Sequence, residues 1–194
     1  LPPETAELAR FLIGRILVRD TSEGRLWARI VETEAYLPGD AASHAFRGPT
    51  ARNASMFLRP GHAYVYFIYG TAHCLNISSD NAGVGAAVLL RAAEPLGGLE
   101  IMQRNRGPAT RPRDLARGPG RLAAAFGLDR TFDGVDLFMR GARLWLAAGD
   151  PPGDIACGPR IGITREVELP LRFFVPGSPF VSGTRLLAGY PPKT

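Results

Sequence analysis

Seven short segments of this chain carry the alternating apolar, β-branched and aromatic residues of strands: 26–36, 62–69, 73–79, 84–93, 142–147, 159–164 and 171–175. A parallel pairing needs a crossover of a dozen or more residues, and few of the gaps between these segments hold a helix. The pattern therefore predicts a largely antiparallel sheet. Helical patterns occupy 4–13, with Pro2-Pro3 ahead and Gly14 behind, about 96–104, and 119–126, closed by Gly127. Strands in the majority, with a few helices among them, predict an α+β fold, and 194 residues fit one domain spanning 1–194. Residues 38–61 are mostly turn-formers and polar groups, a long connection of the kind that carries function. Asp150-Pro151-Pro152-Gly153 reads as a loop and not a domain boundary, because strands resume after it.

Within that framework one strand is out of character. Alternation along Val31-Glu32-Thr33-Glu34-Ala35-Tyr36 puts Glu32, Glu34 and Tyr36 on one face, beside Leu26, Ala28 and Ile30. Carboxylates on an apolar face mark either a strand end leaving the core or a site that needs them. Downstream lie His44, Tyr64, Tyr66 and Tyr69, then Asn76 on one apolar run and Leu89 with Arg91 on another. An acid, flat aromatic faces and one arginine in an apolar strand are the parts of a pocket for a planar ring, uncharged or cationic. Tyr64 and Tyr66 share a strand face, as do Leu89 and Arg91, whereas Tyr69 ends its strand pointing the other way beside Gly70. For Tyr64 simple core packing is the plainer reading.

The net charge of +5 is modest, yet only one of the 23 basic residues is a lysine, Lys193. Arginine binds phosphate bidentately and stacks on bases, although coding bias also enriches it. Arginines 104, 106, 111, 113, 117 and 121 face the single acid Asp114 in a stretch broken by Gly107-Pro108, Pro112 and Gly118-Pro119-Gly120. That stretch reads as an exposed basic loop, a candidate phosphate contact or merely a solvated segment. The Gly118-Pro119-Gly120-Arg121 turn could add backbone N–H groups at a helix start.

Several chemistries drop out. Cys74 and Cys157 have no CxxC spacing, which suggests a reducing compartment without disulfides. His73 and Cys74 are adjacent and point to opposite faces, and no ligand spacing suggests a metal. No Walker loop, G-x-S-x-G elbow or dinucleotide fingerprint is present. No apolar run approaches the roughly 20 residues that span a bilayer, nor does the N-terminus resemble a signal peptide. The chain opens at Leu1 instead of Met, which leaves room for a short native leader.

Longer motifs now join up. Val31-Glu32-Thr33-Glu34-Ala35-Tyr36, Arg52-Asn53-x-x-Met56-Phe57, Tyr64-Val65-Tyr66-x-x-Tyr69-Gly70 and Cys74-x-Asn76-Ile77-Ser78-Ser79 are followed by Val88-Leu89-Leu90-Arg91-Ala92-x-Glu94-Pro95-Leu96. Gly118-Pro119-Gly120-Arg121-Leu122, Pro170-Leu171-Arg172-Phe173 and Gly177-Ser178-Pro179-Phe180-Val181-Ser182 complete the series. Over nearly its whole length the chain resembles the alkyladenine DNA glycosylase family, also called 3-methyladenine DNA glycosylases, in a bacterial form.

That resemblance implies a curved sheet with flanking helices and a monofunctional enzyme of base excision repair. It would turn alkylated or deaminated purines out of duplex DNA and hydrolyse the N-glycosidic bond. Glu34, not Glu32, matches the water-activating carboxylate, and Glu32→Gln is expected to be mild. Tyr36, His44 and Tyr66 match the stacking side chains, Asn76 the position that would clash with a guanine amino group, and Leu89 and Arg91 the pocket lining. Tyr69 matches the wedge that fills the vacated stack, and Arg117, Arg121 and Ser178 fall where DNA phosphates would be held. The implied partner is double-stranded DNA containing damaged purines, with no metal or organic cofactor, no membrane and no obligate protein partner. A cytoplasmic, nucleoid-associated monomer follows. Two rivals fit some of the same residues: a non-catalytic DNA-binding module, which gives Glu34 no purpose, and a small-molecule hydrolase, which gives the arginines and Tyr69 none.

Overall fold

The strand that carries the two acids is the axis of the structure. A computed structural model describes residues 1–183 apart from Tyr69, Arg140 and Pro151. In it β1 (Ile16–Thr21) and β2 (Gly24–Tyr36) form a hairpin, and β3 (Ala63–Ile68), β4 (Ala72–Ser78) and β5 (Ala87–Gly97) follow. Three short strands, β6 (Leu144–Ala147), β7 (Ala156–Gly158) and β8 (Arg172–Phe174), complete one sheet. Its order is β3-β4-β5-β2-β1-β6, with β8 paired to β2 and β7 to β8. Every pairing is antiparallel, in keeping with the short connections.

β2 divides the sheet. Residues Gly24–Arg29 pair with β1, whereas Glu32, Thr33 and Glu34 pair with Phe174, Phe173 and Arg172 of β8. Against β5 the register shifts twice in the same place. Ile30 faces Ala93 and Glu32 faces Ala92, so Val31 is an extra residue on β2; Thr33 then faces Leu90, so Arg91 is an extra residue on β5. A bulge inverts the alternation beyond it. Leu26, Ala28 and Ile30 enter the main core, and so does Ala35, while Glu32, Glu34 and Tyr36 turn to the opposite face. The simple period of two, which puts the acids beside Leu26, Ala28 and Ile30, fails at Val31. No local residue signals the extra position.

Three helices cover the main core. α1 (Thr5–Leu12) buries Thr5, Leu8, Ala9 and Leu12, the i, i+3, i+4, i+7 stripe of an amphipathic helix. α2 (Leu99–Arg106) and α3 (Pro119–Ala125) pack on each other, and α3 also lies against β4 and β5. Met102, Leu122 and Phe126 meet Leu75, Val88 and Leu90 of the sheet there, all inaccessible to solvent. The other face of β3, β4 and β5 presents Tyr64, Tyr66, Cys74 and Leu89 as a second cluster.

Three expectations need correction. β1 is a strand that the pattern reading passes over. Residues 159–164 form no strand: Pro159 has no N–H to give a ladder, and the Ile161 N–H goes to a side chain, Glu34 Oε1, at 2.7 Å. The arginine-rich stretch is not one exposed loop. α2 runs to Arg106, a 3₁₀ turn spans Pro112–Asp114, and Leu115 and Ala116 are buried in the core, their carbonyls accepting from Arg106 Nε and the Ala93 N–H at 3.1 Å each. Proline and glycine mark turns but do not decide whether a turn is covered. Among the described residues, no helix is long and apolar enough to cross a membrane.

Candidate active site

On the second face of the sheet lies a cavity of about 570 Å³, a size suited to a flat organic ring with its substituents. Tyr64, Tyr66, Cys74, Asn76, Leu89 and Arg91 form its floor, because alternation along β3, β4 and β5 points them the same way. Tyr36, Ala41, Ala42 and His44 supply one wall, residues 161–165 another, and Pro119 and Gly120 at the start of α3 part of the rim. The 161–165 wall can turn sharply because Gly162 adopts φ +80°, a conformation glycine takes without strain.

The aromatic residues are ordered by contacts with one another. Tyr64 and Tyr66 stack with centroids 5.4 Å apart, and His44 meets Tyr66 edge-on at 4.5 Å. His44 Nδ1 hydrogen-bonds the Tyr64 hydroxyl at 2.9 Å, and Asn53 Nδ2 donates to the His44 carbonyl. Tyr64 is thus both a fully buried core residue and a cavity residue, its hydroxyl pushed up to about 12 by burial. Asn76 Nδ2 donates to the Tyr64 carbonyl at 3.2 Å across the strand pair. The expected ring contacts Tyr36, His44 and Tyr66, together with Asn76, Leu89 and Arg91, all line this one cavity.

Glu34 lies behind that wall, with no exposed side-chain surface. Its Oε2 accepts from the Tyr36 hydroxyl at 3.0 Å, and its Oε1 accepts from the Ile161 amide at 2.7 Å and sits 3.2 Å from Arg91 Nη1. Burial dominates and raises its pKa above the ordinary carboxylate range. Arg91, the Ile161 N–H and the Tyr36 hydroxyl oppose the rise without cancelling it, and the Glu32 charge adds to it. Burial, followed by the Glu34 charge, raises Tyr36 as well, so Tyr36 stays a neutral phenol and donates.

Glu32 is equally hidden and differently held. Arg172 Nε donates to its Oε1 at 2.7 Å, Arg91 Nε at 3.1 Å and the Ser182 hydroxyl at 3.0 Å; Oε2 takes the Ser182 N–H at 2.7 Å. Burial pushes this carboxyl up, but Arg91, Arg172 and the Ser182 donor outweigh it and hold the group below its usual range. Glu32→Gln cannot be a mild change in such a place. Removing that charge would leave two buried guanidiniums, those of Arg91 and Arg172, short of a partner.

The expected DNA contacts are dispersed. Tyr69 lies outside the described residues. Arg117 donates to the Val181 carbonyl at 2.8 Å and the Gly183 carbonyl at 3.3 Å and approaches Asp114, so its fork faces inward. Arg121 is exposed on α3, one residue past the Gly120 that lines the cavity. Ser178 is half-buried in a turn, its hydroxyl accepting from the Phe180 N–H at 3.4 Å. Among the described residues, no group of three or more His, Cys, Asp or Glu side chains could hold a metal ion.

This arrangement coincides with a sequence signature: the profile of the methylpurine-DNA glycosylase family matches residues 2–179. The chain belongs to that family. A protein of Mesorhizobium japonicum, provisionally named 3-methyladenine DNA glycosylase, is 59% identical over 188 residues, covering 96% of this chain and 89% of the relative. Proteins of Paraburkholderia phytofirmans and Chlorobaculum parvum with the same provisional name are 54% and 51% identical, covering 96% and 97% of this chain and 87% and 90% of the relatives.

Within this glycosylase family member, several site residues carry no sequence signal of their own. Ile161 contributes only a backbone N–H. Arg160 and Asp40 form a bidentate ion pair with neither side chain more than 2% exposed, and each stands in a glycine- and proline-rich stretch that reads as loop. Arg172 and Ser182 fall inside the Pro170–Phe173 and Gly177–Ser182 motifs, yet nothing nearby in sequence points them at Glu32. Cys74 could have been found, since alternation places it on the face of Asn76.

Proposed function

We propose that this protein releases alkylated or deaminated purines from duplex DNA by hydrolysing the N-glycosidic bond, as a monofunctional glycosylase of base excision repair. One observation carries the reading: a buried carboxylate of raised basicity, Glu34, stands directly behind an aromatic cavity and bonds to two of its walls, Tyr36 and the 161–165 segment. A base in a duplex cannot reach such a cavity, so the nucleotide is turned out of the stack at a cost of a few kcal/mol, about the least for weakened pairs. Tyr36, His44 and Tyr66 receive the purine, and their π faces favour an electron-poor or cationic ring. Asn76 crowds the place where guanine carries its amino group, and Leu89 closes the floor.

Glu34 takes a proton from the water that attacks the anomeric carbon, and the electrons of the breaking C–N bond leave with the base. Its raised pKa makes it a stronger proton acceptor than an ordinary carboxylate, and the general-base role is worth about 10²–10⁴-fold. Its charge also favours the oxocarbenium-like sugar of the transition state. Arg91 holds Glu34 from the side opposite Tyr36 and stays cationic between the two acids. A strand-cutting glycosylase would need an amine nucleophile, and the single lysine Lys193 favours water instead. Tyr69 fills the gap in the duplex, and Arg121 and Ser178 hold phosphates, in a cytoplasmic, nucleoid-associated monomer that needs no partner but DNA.

A panel of oligonucleotides carrying 3-methyladenine, 7-methylguanine, hypoxanthine or ethenoadenine tests this directly by release of free base. Glu34→Gln keeps affinity for the lesion duplex within a few fold and loses about 10²-fold or more in single-turnover release. Release above about a tenth of normal in that variant would sink the role of Glu34. Absence of release from every lesion by the unaltered protein would leave a binding module in its place.

A further inference from the structure

Arg160 occupies a position that the chemistry above does not use. Its side chain is wholly inaccessible, and it is surrounded by the parts of the site that have to keep their places. One guanidinium makes three attachments: a fork to both oxygens of Asp40, an Nη1 hydrogen bond to the Ala35 carbonyl at 3.0 Å, and a cation–π contact 4.7 Å from the centre of the Tyr36 ring. Asp40 opens the 40–45 segment, its Oδ1 accepting from the Ala42 N–H at 2.8 Å and its carbonyl from the Ser43 N–H at 2.9 Å, and Ala41, Ala42 and His44 of this segment line the cavity. The residue after Arg160 is Ile161, whose N–H holds Glu34 Oε1. A single side chain therefore ties together the stacking tyrosine, the His44 segment and the amide on the carboxylate.

We propose that Arg160, anchored by Asp40, is a positioning residue for base release, acting through Tyr36 and the Ile161 amide on Glu34. The proposal rests on the reading of Glu34 as the general base. A buried ion pair is a poor source of stability, because desolving both charges offsets most of their attraction. Its value lies in geometry: a planar fork fixes direction as well as distance, which lysine cannot do. Displacing a reacting group by about 1 Å costs on the order of 10²-fold in rate. The groups that face Glu34 from the surrounding elements are Arg91 on β5, Tyr36 and Glu32 on β2 itself, and the Ile161 amide. Arg172 pairs opposite it on β8 but sends its guanidinium to Glu32. Loosening Arg160 removes the amide from that set and leaves the charges where they are.

Arg160→Lys and Asp40→Asn, each in the full chain, make the test. Lysine keeps the charge, so any change in the titration of Glu34 reports lost geometry. Both variants should bind an ethenoadenine duplex within a few fold of the unaltered protein and release base about 10–100-fold more slowly in single turnovers. The acidic limb of the pH–rate profile should move to higher pH, because the hydrogen bond favouring the Glu34 carboxylate weakens. A merely structural ion pair would instead lower the active fraction equally at every pH. A limb that stays in place, in whichever of the two variants remains folded by thermal melting, overturns the proposal, as does an unchanged rate in both. Glu34→Gln, run alongside, separates the two failures. If it keeps both its rate and its acidic limb, the reading of Glu34 falls; if it loses activity while Arg160→Lys leaves the limb in place, only the role of Arg160 falls.

Discussion

Glu32 and Glu34 sit two residues apart on β2, both without exposed side-chain surface, and their surroundings drive their acidities in opposite directions. Glu32 is enclosed by two guanidiniums and both donors of Ser182, and it ties β2, β5, β8 and the 181–183 segment into one ionic knot. Among the described residues Glu34 shares only Arg91 with that knot, and its remaining partners there, a phenol and one amide, are neutral. Burial is the largest influence on each. The difference lies in whether enough charge stands nearby to overcome it. A carboxylate made a weaker base than usual is a structural anchor, whereas one made a stronger base is ready to accept a proton.

The widest separation should appear in stability. Glu32→Gln leaves the buried Arg172 without its carboxylate and Arg91 with Glu34 alone, and should cost about 3–5 kcal/mol, measured by urea unfolding at neutral pH. Glu34→Gln relieves a desolvated charge while Arg91 keeps Glu32, so its unfolding free energy should be unchanged or higher even as catalysis is lost. Equal losses in the two variants would erase the contrast between anchor and base.

The dependence on pH sharpens the same comparison. Glu32 has its folded value below its unfolded one, so its contribution is present above the ordinary carboxylate range and fades as pH falls through the folded value. Glu34 has its folded value above its unfolded one, so the native state is favoured most at low pH and loses ground as pH rises through the folded value. The stability of the unaltered protein relative to Glu32→Gln should therefore climb with pH in the acid range, and relative to Glu34→Gln it should decline toward neutrality. Thermal melts in a pH series read both slopes. Parallel slopes would mean that the two acids share one environment.

The smallest effect separates two arginines along the same divide. Arg117 belongs with the Glu32 knot, since its fork holds the Val181 and Gly183 carbonyls on either side of Ser182. Arg121 belongs with the cavity rim and faces solvent. Arg121→Ala should flatten the slope of log affinity against log salt by about 0.9, the loss of one phosphate contact. Arg117→Ala should lower the melting temperature and leave that slope alone. A flattened slope for Arg117→Ala would put its guanidinium on DNA after all.

Much of the architecture is decided by local pattern. Period two along β3, β4 and β5 is enough to put Tyr64 with Tyr66, Cys74 with Asn76 and Leu89 with Arg91, and the scarcity of crossover helices is enough to make the sheet antiparallel. The motif Val31–Tyr36 marks two acids where a core strand should have none. The sequence does not say which face those acids take, because a paired bulge at Val31 and Arg91 reverses the alternation and depends on the register between two strands. Nor does it separate the anchor from the base. Glu34 receives its amide from 127 residues away, and Glu32 its partners from 59, 140 and 150 residues away. Desolvation and charge pairing belong to the assembled surroundings and not to the residue, so the chain supplies two identical carboxyls and the tertiary fold makes them chemically different.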